Sequence, residues 1–185
     1  MIDEADPSKG HGFLFLHIPL IEYVHLYNDY NFFGHRGEDI CCWSVNTGLF
    51  GAIKEQPTIE WISAGHDHNN DYYGNYEGIN LAYGRKTGFG CYGPSWPMKR
   101  GARVFEVTKD PYSIETWVRA DGGDKEVAAQ SERRRVTQDV QTECGGMDIK
   151  AQMLNDDTEE NKFLREYYLR RPDLMHLIPD SEFLN

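Results

Sequence analysis

The sequence predicts an α+β fold, α/β-like in its alternation of short strands and helices. Three observations carry this reading. Residues 12–118 are rich in aromatic and β-branched residues set in short runs between Gly, Pro, Asn and Asp. Apolar runs there are four to nine residues long, the length of strands rather than of long helices. After residue 124 the texture changes to longer polar stretches with helical spacing.

Gly12-Phe-Leu-Phe-Leu-His17-Ile reads as a buried strand ending at Pro19. Glu22–Tyr30 fits a helical turn or a loop. Asn46–Glu55 opens on an N-cap residue and predicts a short helix that stops before Pro57. Thr58–Ser63 alternates as a strand and runs straight into Gly65-His-Asp-His68. Strands follow at Ile79–Tyr83, Ala102–Val107 and Ser113–Val118, with Gly84–Arg100 as a long loop. Gly74-Asn-Tyr-Glu77 reads as a turn. Lys125–Val140 and Thr158–Arg171 predict helices, the second carrying Phe163/Tyr167 and Leu164/Tyr168 at i,i+4.

Composition limits the function. Nineteen Lys and Arg stand against thirty Asp and Glu, a net charge of −11 in 185 residues. Such a surface disfavours a sequence-independent grip on nucleic acid or on an anionic membrane. The longest apolar run, Gly12–Leu20, is too short to span a bilayer. The acidic opening, Met1-Ile-Asp-Glu-Ala-Asp, is not that of a signal peptide, and the compartment stays unassigned. Cys41, Cys42, Cys91 and Cys144 lack zinc-ribbon spacing and read as reduced, partly buried thiols rather than a disulfide framework.

The residues that carry chemistry cluster at strand ends. In extended backbone, His66 and His68 point the same way and form a chelating imidazole pair. Asp67, Asn69 and Asp71 are then placed to orient those rings by accepting their N–H groups. His17 alone reads as a hydrogen-bonded core histidine. Its place at a strand end, where open sheets put ligand residues, makes it a candidate partner for the pair. Arg85 and Lys86, in Gly84-Arg-Lys-Thr-Gly88, are either a solvated loop pair or a clamp for a phosphate group. The tyrosines at 72, 73, 76, 83 and 92 either line a pocket or, the commoner case, pack beneath the long loop.

These motifs, taken in order, resemble a known family. The runs are Phe15-Leu-His17-Ile-Pro19-Leu, Gly37-Glu38, Asn46-Thr-Gly-Leu-Phe50, Gly65-His-Asp-His-Asn-Asn-Asp71, Tyr83-Gly-Arg-Lys-Thr-Gly88 and Arg100-Gly-Ala-Arg-Val104. Together they are similar to the calcineurin-like metallophosphoesterases, and more narrowly to the purple-acid-phosphatase-like branch. The resemblance implies an αββα sandwich holding two metal ions of the iron, zinc or manganese class between strand-end loops. It implies phosphoester hydrolysis as the reaction. His17 and His66 would share one ion, and His68 would bind the other.

The family's Asp-x-His, Gly-Asp-x-x-Asp and Gly-Asn-His-Asp/Glu motifs precede the histidine matched by His17, where this sequence has sixteen residues. The resemblance therefore implies half of the sandwich, with residues 1–122 as the C-terminal part of the domain and 123–185 as a helical tail. It further implies weak or absent turnover by this chain. The alternative is a non-catalytic structural or interaction subunit, for which residues 156–185 offer an apolar surface to a protein partner.

Overall fold

The computed structural model describes residues 10–42, 45–56, 58–131, 140–142 and 144–145. Two sheets make up most of it. The larger runs in the order β1-β3-β5-β4-β2-β9, from β1 (Gly12–Phe15), β2 (Phe32–Arg36), β3 (Ile59–Ala64), β4 (Asn70–Tyr76), β5 (Ile79–Tyr83) and β9 (Gln130–Ser131). In it β1, β3 and β5 are parallel, while β4, β2 and β9 add antiparallel. The smaller is antiparallel, in the order β6-β7-β8, from β6 (Gly101–Lys109), β7 (Tyr112–Ala120) and β8 (Lys125–Glu126). Two helices complete it, α1 (Glu22–Asp29) and α2 (Leu49–Lys54).

The period of two sorts the side chains between two layers. Ile62 and Ala64 of β3, Tyr72 of β4 and Leu81 and Tyr83 of β5 join a core with Tyr23, Val24 and Leu26 of α1. Tyr23 anchors the helix, its hydroxyl donating to the carbonyls of Ile62 at 2.9 Å and Ala82 at 3.2 Å. The alternate residues meet the small sheet. Phe105 of β6 sits edge-on to Trp61 at 5.2 Å and to Phe13 at 5.3 Å, and Arg103 lies over the Tyr73 ring at 5.2 Å. Helices, large sheet and small sheet thus form three layers, mixed α+β as expected.

Three expectations need correction, and one strand, β2, had no counterpart in the sequence reading. The described part of the expected Lys125–Val140 helix is not helical: Lys125–Glu126 pairs with β7, and Gln130–Ser131 pairs with β2, while residues 132–139 lie outside the described residues. Open strand edges hydrogen-bond this segment, and that pairing overrides its helix-favouring composition. Gly74–Tyr76 belongs to β4, so the turn lies at Glu77-Gly78, both at positive φ. The Phe32–Arg36 strand was hidden by Gly34, whose φ of 111° and closeness to the Asp71 carbonyl only glycine accommodates. Finally, Cys42 and Cys144 form a disulfide, across 102 residues of sequence. Their distance along the chain concealed the pairing, and Cys41 beside Cys42 left no readable pattern. Glu22–Asp29 resolves as helix, and Gly84–Arg100 as the expected loop. The Thr158–Arg171 helix lies outside the described residues. Among the described residues, no helix is long and apolar enough to cross a membrane.

Candidate metal centre

The parallel pairing of β1 and β3 runs on past both strands. Leu16 N–H donates to Ser63 O at 2.8 Å, and Gly65 N–H donates to His17 O at 3.0 Å. Two chain segments therefore end side by side and deliver His17 and His66 to one place. His17 Nε2 and His66 Nδ1 stand 3.2 Å apart, with the rings at 82°. Two nitrogens bound to one tetrahedral ion at about 2.0–2.1 Å lie about 3.3 Å apart. The observed spacing fits a shared ion. Burial and the neighbouring His17 lower the His66 pKa, so His66 favours the neutral, ligating form.

Beyond Gly65 the chain is not extended. His66 takes a left-handed φ of 72°, and Asp67 N–H donates to Gly65 O at 2.9 Å. This turn sends the next two side chains in different directions. Asp67 goes inward, where Oδ2 accepts from the Tyr83 hydroxyl at 2.6 Å and from Cys41 N–H at 3.1 Å. Its Oδ1 is buried without a hydrogen-bond partner. Burial outweighs those donors and raises the carboxyl pKa to about 6.

His68 lies under the long loop. Its Nδ1 is 2.7 Å from Tyr92 O, and the two rings stack at 4.3 Å. A carbonyl can only accept, so Nδ1 carries the proton and Nε2 keeps its lone pair for an ion. Burial, helped by the charges of Lys86 and Arg100, lowers its pKa to about 4. Tyr92 is fixed in turn by Glu38, whose Oε2 accepts from its hydroxyl at 2.9 Å while Oε1 accepts from Asn69 N–H at 2.7 Å. Glu38 is a site residue that sequence reasoning left unassigned, and Tyr92, read from sequence among the loop-packing tyrosines, also holds His68. Glu38 stood within a quoted motif but had no chemistry of its own to flag it.

The other expected residues are spread more widely. Asn69 Oδ1 accepts from Ser95 N–H at 2.7 Å, tying down the loop. Asp71 binds two guanidinium groups, those of Arg85 and Arg103. Arg85 is turned inward and also reaches Glu126 Oε2 at 2.9 Å and Lys99 O at 2.6 Å. Four of its five N–H donors are engaged in this way. Lys86 Nζ donates to Gly90 O at 2.6 Å, and its charge acts on His68. Of the basic pair, Lys86 is the one near the imidazoles. A groove of about 510 Å³ lies along Gly34, Asn69, Arg85, Trp96, Trp117 and Val127, and none of the three histidines lines it.

One further residue joins the site. A carboxylate oxygen of Asp67, a ring nitrogen of His66 and Cys41 Sγ all lie within 4.8 Å of one another. Nothing in the local sequence of Cys41 signals this, because the contact is made between two loops.

The chain is similar over part of its length to proteins named as phosphatases. No family model matches the chain, and no solved structure matches it. It is 30% identical over 122 residues to probable inactive purple acid phosphatase 14 of Arabidopsis thaliana, covering 62% of this chain and 30% of that protein. It is 31% identical over 128 residues to probable inactive purple acid phosphatase 29 of the same plant, covering 64% and 33%. To phosphatase DCR2 of Saccharomyces cerevisiae it is 28% identical over 140 residues, covering 65% and 22%. The resemblance to purple-acid-phosphatase-like proteins, stated above from the motifs, is thus found independently. The matched part of the chain spans from about a fifth to a third of these relatives' length.

Proposed function

We propose that this chain carries a metal-dependent phosphoester-hydrolase site, in which His17 and His66 hold one ion and His68 offers Nε2 to another. The observation that supports it most directly is the 3.2 Å separation of His17 Nε2 and His66 Nδ1 at adjoining strand ends. An ion of the zinc, iron or manganese class would supply Lewis-acid polarisation of a phosphoryl group. The chain's own residues do the rest. Tyr92 O fixes the His68 tautomer, Glu38 holds Tyr92, and the loop that bears Tyr92 covers the His68 ring. Lys86 adds positive charge suited to an anionic ester. The substrate class, a phosphoester, is taken from the likeness to phosphatases.

A second reading has its own support. Two relatives are named probable inactive phosphatases, and three neutral imidazoles bring no charge to offset two cations. On this reading the chain keeps the metal-binding turn as structure, and residues 156–185 bind a protein partner.

The test is metal content by mass spectrometry, with hydrolysis of an aryl phosphate in manganese or zinc, for the chain and for His66→Ala. Bound metal and turnover that both vanish in the variant support the first reading. Bound metal without turnover selects the second. Failure of the chain to bind either ion overturns the assignment of the site.

A further inference from the structure

We propose that Cys41 and Asp67 are metal ligands alongside His66, making a thiolate-bearing site for one zinc-class ion. The inference rests on the reading of His66 as a ligand and adds to it the two residues that supply negative charge.

Geometry comes first. The three candidate donor atoms lie within 4.8 Å of one another. Sulfur, nitrogen and oxygen about a tetrahedral zinc are roughly 3.3–3.7 Å apart, given bonds of about 2.0–2.3 Å. Closing that difference takes a shift on the order of 1 Å. Cys41 lies between β2 and α2 in neither helix nor strand, so a shift of that size breaks no helix or sheet hydrogen bond. His17 Nε2 lies 3.2 Å from His66 Nδ1 but outside that cluster of three donors, so the fourth position is left to water.

Asp67 supplies an independent observation. It is only 2% exposed, yet Oδ1 has no hydrogen-bond partner, while Oδ2 is held by Tyr83 and by Cys41 N–H. A buried carboxylate oxygen left bare costs on the order of 1–3 kcal/mol, and a cation beside it removes that cost. The bond from Cys41 N–H to Asp67 Oδ2 also keeps the two residues adjacent.

Charge settles which ion. An all-imidazole set leaves a divalent cation's charge uncompensated in a half-buried turn. One thiolate and one carboxylate cancel it. A ligand set of S, N and O favours a borderline-soft ion such as zinc(II) over magnesium or calcium, which take oxygen.

The experiment is cobalt(II) titration of the full chain with its disulfide intact, in a Cys91→Ser background so that the exposed Cys91 thiol adds no sulfur. We expect a near-ultraviolet thiolate-to-metal charge-transfer band that saturates with one cobalt at this site, whether or not His68 takes a second ion, and that is lost in Cys41→Ser. Asp67→Asn should weaken binding by about tenfold or more. X-ray absorption of the zinc-loaded Cys91→Ser chain gives a readout independent of the Cys41 and Asp67 variants, with one sulfur expected at about 2.3 Å. Metal bound with no charge-transfer band and no sulfur scatterer overturns Cys41 ligation while leaving the His17–His66 assignment standing. No metal bound at all overturns both.

Discussion

The Tyr83 hydroxyl donates to Asp67 Oδ2 across 2.6 Å, and both side chains are buried. Tyr83 packs on Tyr72 at 4.9 Å and Tyr23 at 5.1 Å, so this bond joins the aromatic core to the turn that bears His66 and His68. Burial of Asp67, which outweighs this bond, gives the metal-free protein an unusual pH response. The Asp67 carboxyl titrates at 3.8 when unfolded and at about 6 when folded. The folded state therefore binds that proton more tightly, and stability falls as pH rises from 3.8 to 6. The full effect is about 3 kcal/mol. His68 works in the opposite sense. Its pKa drops from 6.5 to about 4 on folding, so stability falls as pH is lowered through that window. In chelator-treated protein the two slopes offset each other between pH 4 and 6. Asp67→Asn should unmask the His68 slope, with urea midpoints that climb with pH from 4 to 6.5. A flat profile in that variant would contradict the account.

Asp71 carries a different load. It is the shared counter-ion of Arg85 and Arg103, and all three side chains are nearly sealed from solvent. Arg85 Nε adds a bond to Asp71 Oδ2 at 3.0 Å, and Arg103 Nη1 reaches Thr116 Oγ1 at 3.2 Å. Since Asp71 is on β4 and Arg103 on β6, the cluster ties the two sheets together. Asp71→Ala would leave two buried guanidinium groups without their carboxylate. A loss of about 3–5 kcal/mol in unfolding free energy is expected. An effect below 1 kcal/mol in urea denaturation would show that the pair of arginines finds other partners.

How far the sequence could be read depended on whether a feature was local. β3, β5, β6 and β7 were legible because alternation survives in each run. β2 and β4 were not. Gly34 interrupts the first, and Asn70, Asp71, Gly74 and Asn75 give the second the composition of a loop. What makes Asn70 and Asp71 tolerable in a buried strand lies far off in sequence. Asn70 Oδ1 accepts from Gly37 and Glu38 N–H at 3.0 and 3.1 Å, and Asp71 has its arginines. His17 shows the same limit at the site. Alone it suggests a core histidine, and only the parallel pairing of β1 with β3 brings it to His66. Cys41 depended on a loop-to-loop contact, which no spacing rule encodes.

The Cys42–Cys144 disulfide fastens the segment at 140–145 to the domain, and Gln141 fastens it again. Gln141 Oε1 accepts from Ile40 N–H at 2.8 Å and Nε2 donates to Ile40 O at 2.8 Å, while Asn28 Nδ2 donates to Gln141 O at 2.6 Å. Closing a loop of 102 residues constrains the unfolded chain strongly, so its loss should cost about 2–5 kcal/mol. Thermal melting with and without reductant checks this. The parent chain should melt lower when reduced, and Cys144→Ser should melt low in both conditions. Equal melting of oxidised and reduced parent would show that Gln141 and the core suffice.

The last prediction concerns the loop over His68. Gly93 has a φ of 68°, and a Cβ there would stand 2.9 Å from His68 Cβ and 2.8 Å from Asn69 Oδ1. Gly93→Ala must therefore push the loop and the imidazole apart, besides meeting a left-handed backbone cost of about 1–2 kcal/mol. What is lost should be the bond from His68 Nδ1 to Tyr92 O, at 2.7 Å the contact that selects the tautomer. Nitrogen NMR of the ring reads this directly. The parent chain at neutral pH should show His68 protonated at Nδ1, and Gly93→Ala should show the two tautomers mixed or Nε2-protonated. If the variant keeps the Nδ1 proton, the loop carbonyl is not what orients His68, and Nε2 is not held ready for an ion in the way the stacking on Tyr92 implies.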